Sequence, residues 1–198
     1  MQANKAADEA RAAQAIGMHE PAPVFATRRL LARRWHAGDL AALIEVYGDA
    51  QAMRYVGDGR PLARADCERW ISVTLGNYEQ RGYDMYALAE AAGGTVVGFA
   101  GIVHPGGQAE PEVKYALRRS HWGIGLATEA VTGLLRHARD ELGLSGLIAT
   151  THPENAASHR VLVKAGMVRA ELLVDDDWRM TQFFRTPAHR PAAADAGV

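Results

Sequence analysis

One cysteine, Cys67, stands in a chain of 198 residues. That excludes an intramolecular disulfide and a structural zinc site of the four-cysteine kind. It also fits a reducing compartment, so a cytoplasmic protein is expected. Long apolar runs are missing too: nowhere do roughly 18 apolar residues follow one another, so no transmembrane helix and no membrane partner are expected. Neither charge is in excess, since 22 Lys and Arg stand against 23 Asp and Glu, a formal net charge of -1. A surface given over wholly to nucleic acid would be strongly basic, so no nucleic-acid partner is expected, while a local basic cleft remains open. The 8 histidines are scattered, and His152, His159 and Asp140 do not fall at ligand intervals, so no metal is expected.

What is present fits one globular domain between two tails. Residues 1–23 are Ala-rich, carry Asp8, Glu9 and Glu20, and lack the apolar stretch of a signal peptide. They read as a flexible tail ended by Pro21 and Pro23, with Met18 as a second candidate start. Residues 187–198 have the same character, which leaves 24–186 as the expected domain. Within it, residues 29–35 read as a strand. Leu40, Leu43, Ile44 and Tyr47 recur at helical spacing, and a second helix is expected over 66–80 with Gly82 near its end. The period then changes to two. Strands are predicted at 83–90, 95–103 and 112–117, a long helix at 126–142, a strand at 146–151, a helix at 155–165 ended by Gly166, and strands at 168–174 and 178–185. This order predicts a mixed α/β fold with a largely antiparallel sheet rather than a doubly wound parallel one. Cys67 falls on the second helix and reads as core or helix surface rather than nucleophile.

The most informative stretch is Arg118-Arg119-Ser120-His121-Trp122-Gly123-Ile124-Gly125-Leu126-Ala127-Thr128-Glu129-Ala130. Small residues at alternate positions let backbone approach a ligand closely, and the first N–H groups of the following helix lack intrahelical acceptors. Such a place suits a phosphate. A Walker loop is ruled out because Gly-Lys-Ser/Thr is absent, and the dinucleotide fingerprint lacks its third glycine. A plain structural turn remains the alternative.

In this stretch the chain resembles the Gcn5-related N-acetyltransferase (GNAT) superfamily, and within it the branch of ribosomal-protein N-terminal acetyltransferases. The branch's form of the acetyl-CoA signature, Trp-Gly-x-Gly-x-Ala-Thr-Glu-Ala, is met at every fixed position by residues 122–130, with Trp122 in the place where Gln or Arg is usual. Glu112-Val113-Lys114-Tyr115-Ala116-Leu117 is similar to the branch's Glu-Ile-Gly-Tyr-x-Leu strand. Asn155-Ala156-Ala157-Ser158 with Lys164-Ala165-Gly166-Met167 resembles Asn-x-x-Ser followed by Lys-x-Gly-Phe, and residues 27–33 look like the opening strand.

The resemblance implies acetyl-CoA as cosubstrate, without a metal, and transfer of acetyl to a primary amine of unknown identity in a ternary complex. The pantetheine arm would lie between the strands 112–117 and 146–151. The backbone of Leu117 and Arg119 would bond its amides, and N–H groups of Gly123, Ile124, Gly125, Leu126 and Ala127 would hold the pyrophosphate. Asn155 would bond the pantetheine, although it is also a good helix cap, and Ser158 would lie near the sulfur. Arg118 and Arg119 read either as charge beside the phosphates or as solvated side chains. Glu112 reads either as general base or as an ion-pair partner, in the neighbourhood of Lys114 or with a surface arginine, with His104 as another candidate base. Two departures stand out: Leu162 where a leaving-group tyrosine is frequent, which makes Ser158 the candidate proton donor, and Lys114 where glycine is usual. Candidates for the acceptor pocket are Trp35, His36, Tyr55, Asp58, Trp70, Tyr86, His104 and Trp178, each aromatic reading more readily as core. A homodimer through the terminal strands is the family's expectation. The competing reading is a noncatalytic acyl-CoA-binding module.

Overall fold

A computed structural model describes residues 22–174 and 180–187. The expected N-terminal tail as far as residue 21, Met18, Trp178 and the tail beyond Pro187 lie outside the described residues. Chain order runs β1 (Pro23–Ala26), β2 (Leu30–Arg33), α1 (Leu40–Tyr47), α2 (Ala50–Met53), α3 (Arg64–Arg81), β3 (Met85–Glu90), β4 (Val96–Val103), β5 (Glu112–Leu117), α4 (Leu126–Asp140), β6 (Ile148–Thr151), α5 (Ala156–Lys164), β7 (Val168–Val174) and β8 (Met180–Arg185). The eight strands form one sheet in the order β1-β2-β3-β4-β5-β6-β8-β7. Every neighbouring pair is antiparallel except β5 with β6. The mixed fold and its antiparallel meander are thus as the sequence predicts.

Alternation along the strands explains why helices cover both faces. On β3, Tyr86 and Leu88 join a core with Val131 and Leu134 of α4 and Leu162 of α5. Met85, Ala87 and Ala89 point the other way, against Leu43, Val46 and Tyr47 of α1 and Cys67 and Ile71 of α3. Cys67 is fully buried there, as expected of a core residue. Two elements escape the sequence reading. β1 pairs with β2 through Phe25 and Ala32, but its four residues begin at Pro23, where composition suggests a tail. α2 is a single turn, too short to show a period; Asp49 caps it by accepting from the N–H groups of Gln51 at 2.8 Å and Ala52 at 3.1 Å. No helix among the described residues is long and apolar enough to cross a membrane.

Candidate active site

The parallel neighbours β5 and β6 touch at one register pair, Glu112 with Ile148, helped by a 3.0 Å bond from the Ile148 N–H to the Pro111 carbonyl. Beyond that point β5 stays paired to β4 as far as Leu117 while its other edge is open. The two strands therefore enclose a wedge that widens towards their C-terminal ends. An unpaired strand edge presents backbone donors and acceptors that an extended ligand can complete.

A cavity of about 580 Å³ fills the wedge, within the range of small-molecule sites. Tyr115, Ala116 and Leu117 of β5 line it. Asn155, Ser158, Val161 and Lys164 of the α5 region close one side, and the α2 segment from Gln51 to Val56 closes the other. Tyr55 stacks on His152 with ring centroids 5.1 Å apart, bridging the α2 segment to the turn after β6.

At the wide end lies the loop that leads into α4. Gly123 and Gly125 have φ of 77° and 83°, a backbone region closed to most L side chains, and neither would have its Cβ crowded by other groups. The need for glycine there is conformational rather than steric. Gly125 is the N-cap of α4 and supplies no side-chain acceptor. The N–H groups of residues 123–128 have no partner among the described residues, so they form a row of free donors at a helix start. The loop's shape is held from outside. Glu129 Oε1 accepts from Thr27 Oγ1 and from the Arg29 N–H, both at 2.7 Å, and Oε2 accepts from Arg29 Nε at 2.7 Å. Arg29 Nη1 in turn donates to the Ile124 carbonyl at 2.9 Å. Burial alone would raise the Glu129 carboxyl, but the hydrogen bonds from Thr27 and Arg29 outweigh it and hold the group below the usual carboxylate range.

Comparison with known proteins places this geometry. The sequence matches the domain family described as "Acetyltransferase (GNAT) domain" over residues 29–168. The chain belongs to the GNAT acetyltransferase family. It is 27% identical over 143 residues to the uncharacterized N-acetyltransferase YnaD of Bacillus subtilis, covering 72% of this chain and 81% of that protein. A GNAT-family acetyltransferase from Bacillus anthracis superposes with a TM-score of 0.71 at 23% identity, over 81% of this chain and 96% of that one. Mycobacterium smegmatis RimJ, solved in complex with CoA-disulfide, superposes with a TM-score of 0.67 at 23% identity, over 83% and 87% of the two chains.

In this GNAT domain the residues singled out by the signature divide into two groups. Leu117, Trp122, Gly123, Gly125, Leu126, Ala127, Asn155 and Ser158 line the cavity. The Leu117 carbonyl already accepts from Trp122 Nε1 at 2.8 Å, which fixes the indole across the loop and leaves that carbonyl one lone pair. Asn155 acts as the cap foreseen, accepting from the Ser158 N–H at 3.1 Å, while the Ser158 hydroxyl makes no bond among the described residues. Ile124 and Arg119 lie outside the lining.

Arg118 and Arg119 both have acidic partners, the Arg118 side chain 20% exposed and that of Arg119 56% exposed. Arg118 pairs with Glu45 at 2.9 Å, and Arg119 with Asp49 at 3.3 Å and Gln51 Oε1 at 2.9 Å. They join the loop to α1 and α2. The cations that line the cavity are Arg54, Arg160 and Lys164, none ion-paired among the described residues. Arg160 and Lys164 stand one turn apart on α5, a spacing visible in sequence.

Glu112 is buried, 3% exposed. Its carboxylate accepts from Lys114 Nζ and Thr150 Oγ1 and, at 3.4 Å, from Gln108 Nε2. It is absent from the cavity lining and lies at the closed end of the wedge. His104 has both ring nitrogens engaged. Its Nδ1 faces the Gln108 carbonyl at 3.0 Å, which can only accept, so Nδ1 carries the proton and Nε2 accepts from Tyr83 Oη at 2.9 Å. That arrangement leaves no basic nitrogen for a substrate. Trp35 and Tyr86 are core residues, Trp70 packs between Trp35 and Phe99, His36 caps the turn at Gly38, and Asp58 caps Arg60. Among the described residues proposed as acceptor contacts, Tyr55 alone lines the cavity.

Tyr115 is the residue the sequence reading passes over. It lines the cavity and its phenol donates, at 3.4 Å, to the Ser158 carbonyl; burial pushes its pKa up to about 12. Leu162, in the place of the frequent tyrosine, is fully buried. No group of three His, Cys, Asp or Glu among the described residues is arranged to hold a metal ion.

Proposed function

We propose that this GNAT domain transfers acetyl from acetyl-CoA to a primary amine by direct attack within a ternary complex. The observation that carries this reading is the wedge between β5 and β6, with free N–H donors at its wide end and a hydroxyl-lined cavity leading to its closed end. An extended thioester arm fits the open edge of β5, its diphosphate fits the donors of residues 123–128, and Arg54, Arg160 and Lys164 supply nearby positive charge. The similar fold of RimJ, solved in complex with CoA-disulfide, supports a CoA thioester as the donor. No cysteine lines the cavity among the described residues, and this favours direct transfer over an acyl-enzyme.

In the step itself the amine nitrogen bonds the carbonyl carbon, the carbon–sulfur bond breaks, and the amine's proton must leave. Thr150 already donates its hydroxyl proton to Glu112, so Glu112 can take the proton through Thr150. Ser158 and Tyr115 are the hydroxyls placed to protonate the departing thiolate. Holding both reactants in one cleft supplies much of the acceleration. The test is thiol release from acetyl-CoA on addition of amines, with the acetylated product confirmed by mass. Saturable binding of acetyl-CoA without thiol release across a broad amine panel would instead support the noncatalytic module, a reading favoured by one observation, the occupation of Glu112 by Lys114.

A further inference from the structure

The face of β5 that carries Glu112 and Lys114 also carries Ala116, which lines the cavity. With a rise of about 3.3 Å per residue, Lys114 lies about 7 Å beyond Ala116 towards the closed end of the wedge. Its Nζ donates to Glu112 and, at 3.0 Å, to Thr150 Oγ1. Thr150 belongs to β6, so the ammonium bridges both strands just beyond their single pairing. The two members of the ion pair are unequally exposed: the Lys114 side chain is 39% exposed and that of Glu112 3%. The end of the pair that an incoming molecule meets is therefore the cation. An ammonium has three N–H bonds; two are directed at Glu112 and Thr150, and the third meets no acceptor among the described residues.

We propose that Lys114 selects the acceptor: its third N–H receives a carboxylate carried beside the reacting amine, which makes free α-amino acids the substrate class. This inference rests on the acetyl-transfer reading above. A diamine or a lysine side chain would bring a second cation against Lys114 and would have to share Glu112 with it. An amino acid instead sets its carboxylate on Lys114 and its amine towards the thioester that ends beside it. The contact is charge-assisted and partly shielded from water, the setting in which such bonds discriminate best.

The experiment compares an amino acid, its carboxamide and a diamine as acceptors for wild type, Lys114→Met and Lys114→Arg, with thiol release as the readout. The carboxamide has the less basic amine and offers more of it neutral near neutrality, so chemistry alone favours the amide. A wild-type kcat/KM about tenfold or more in favour of the acid therefore reads the carboxylate contact. Lys114→Met should bring that ratio to one or below and Lys114→Arg should keep it. Each ratio is taken within one variant, so a general loss of activity or stability does not distort it. Equal rates for acid and amide in wild type, or an undiminished ratio in Lys114→Met, overturns the proposal. Thermal shift of the CoA-bound protein with amino acid against amide reads the same contact without turnover. A shift for the acid alone, lost in Lys114→Met, with no thiol released from any amine, would keep the carboxylate site and discard the transfer reading. No shift for either and no thiol release overturns both.

Discussion

Glu112 and Lys114 show how a position can be assigned from sequence while its state is not. Alternation on one strand puts both on the same face, but burial of one and exposure of the other depends on Thr150, 38 residues away, and on the strand that β6 brings alongside. If Glu112 accepts the amine's proton, Glu112→Gln should lower kcat at least about a hundredfold, the usual scale for loss of a general base. Unchanged kinetics would leave Glu112 as the anchor of Lys114 only. On the other face, Ser158 and Tyr115 are the hydroxyls proposed to protonate the thiolate. Because burial pushes the phenol up to about 12, Tyr115 stays protonated through the neutral range and keeps a proton to donate. We expect Ser158→Ala and Tyr115→Phe each to reduce kcat severalfold with little change in the KM for acetyl-CoA, and the double variant to lose more than either. A thiolate leaves readily without help, so full turnover by the double variant would remove both hydroxyls from the chemistry.

At the scale of elements, the glycine loop before α4 is held by partners that no local pattern reveals. Glu129 lies in the first turn of α4, yet three of its hydrogen bonds come from Thr27 and Arg29 in the β1–β2 hairpin, about 100 residues earlier, and Arg29 reaches on to the Ile124 carbonyl. The prediction is that Glu129→Gln, which cannot accept from Arg29 through its amide nitrogen, raises the KM for acetyl-CoA about threefold to tenfold while kcat holds. It should also cost about 1–3 kcal/mol of stability in urea titration. A stability loss with unchanged KM would mean that the tie serves the fold alone. The same contrast explains what was legible. β5 falls on its predicted bounds and α4 on its predicted start because a clean alternation and a glycine pair mark them. The splay between β5 and β6 has no signature in either strand. The ion pairs beside the loop are hidden for a related reason: Arg118 and Arg119 are adjacent to the signature, but their partners Glu45 and Asp49 come alongside only once α1 and α2 fold over the loop.

Across the whole molecule, α4 is joined to the rest by groups that respond to acid in two separate windows. His137 lies on α4, stacked on Phe25 of β1 at 5.6 Å and edge-on to Tyr86 of β3 at 6.0 Å. Both of its ring nitrogens are buried without a partner among the described residues. Burial disfavours the imidazolium and lowers the pKa from its ordinary 6.5, against the smaller pull of Glu141. As pH falls below about 6.5 the unfolded chain takes up a proton that the folded chain refuses, so stability declines, by at most about 1.4 kcal/mol per pH unit, until the lowered folded value is reached. Glu129 works lower. Its folded pKa is depressed, so its contribution is complete above the ordinary carboxylate value of about 4.5 and is lost as pH falls from there through the folded value. Thermal melts should therefore show one decline beginning near pH 6.5 and a second below about pH 4.5. His137→Leu should reduce the first decline, to which His159 also contributes because burial lowers its pKa too, and Glu129→Gln should reduce the second. The ring sits where β1, β3 and α4 meet, so protonating it loosens the same hairpin that carries Thr27 and Arg29. If that coupling holds, the KM for acetyl-CoA of the wild-type protein rises as pH drops from 7 towards 5.5, and His137→Leu removes the rise. A KM that stays flat in wild type over that interval would show that the helix and the loop it carries tolerate the charge without moving.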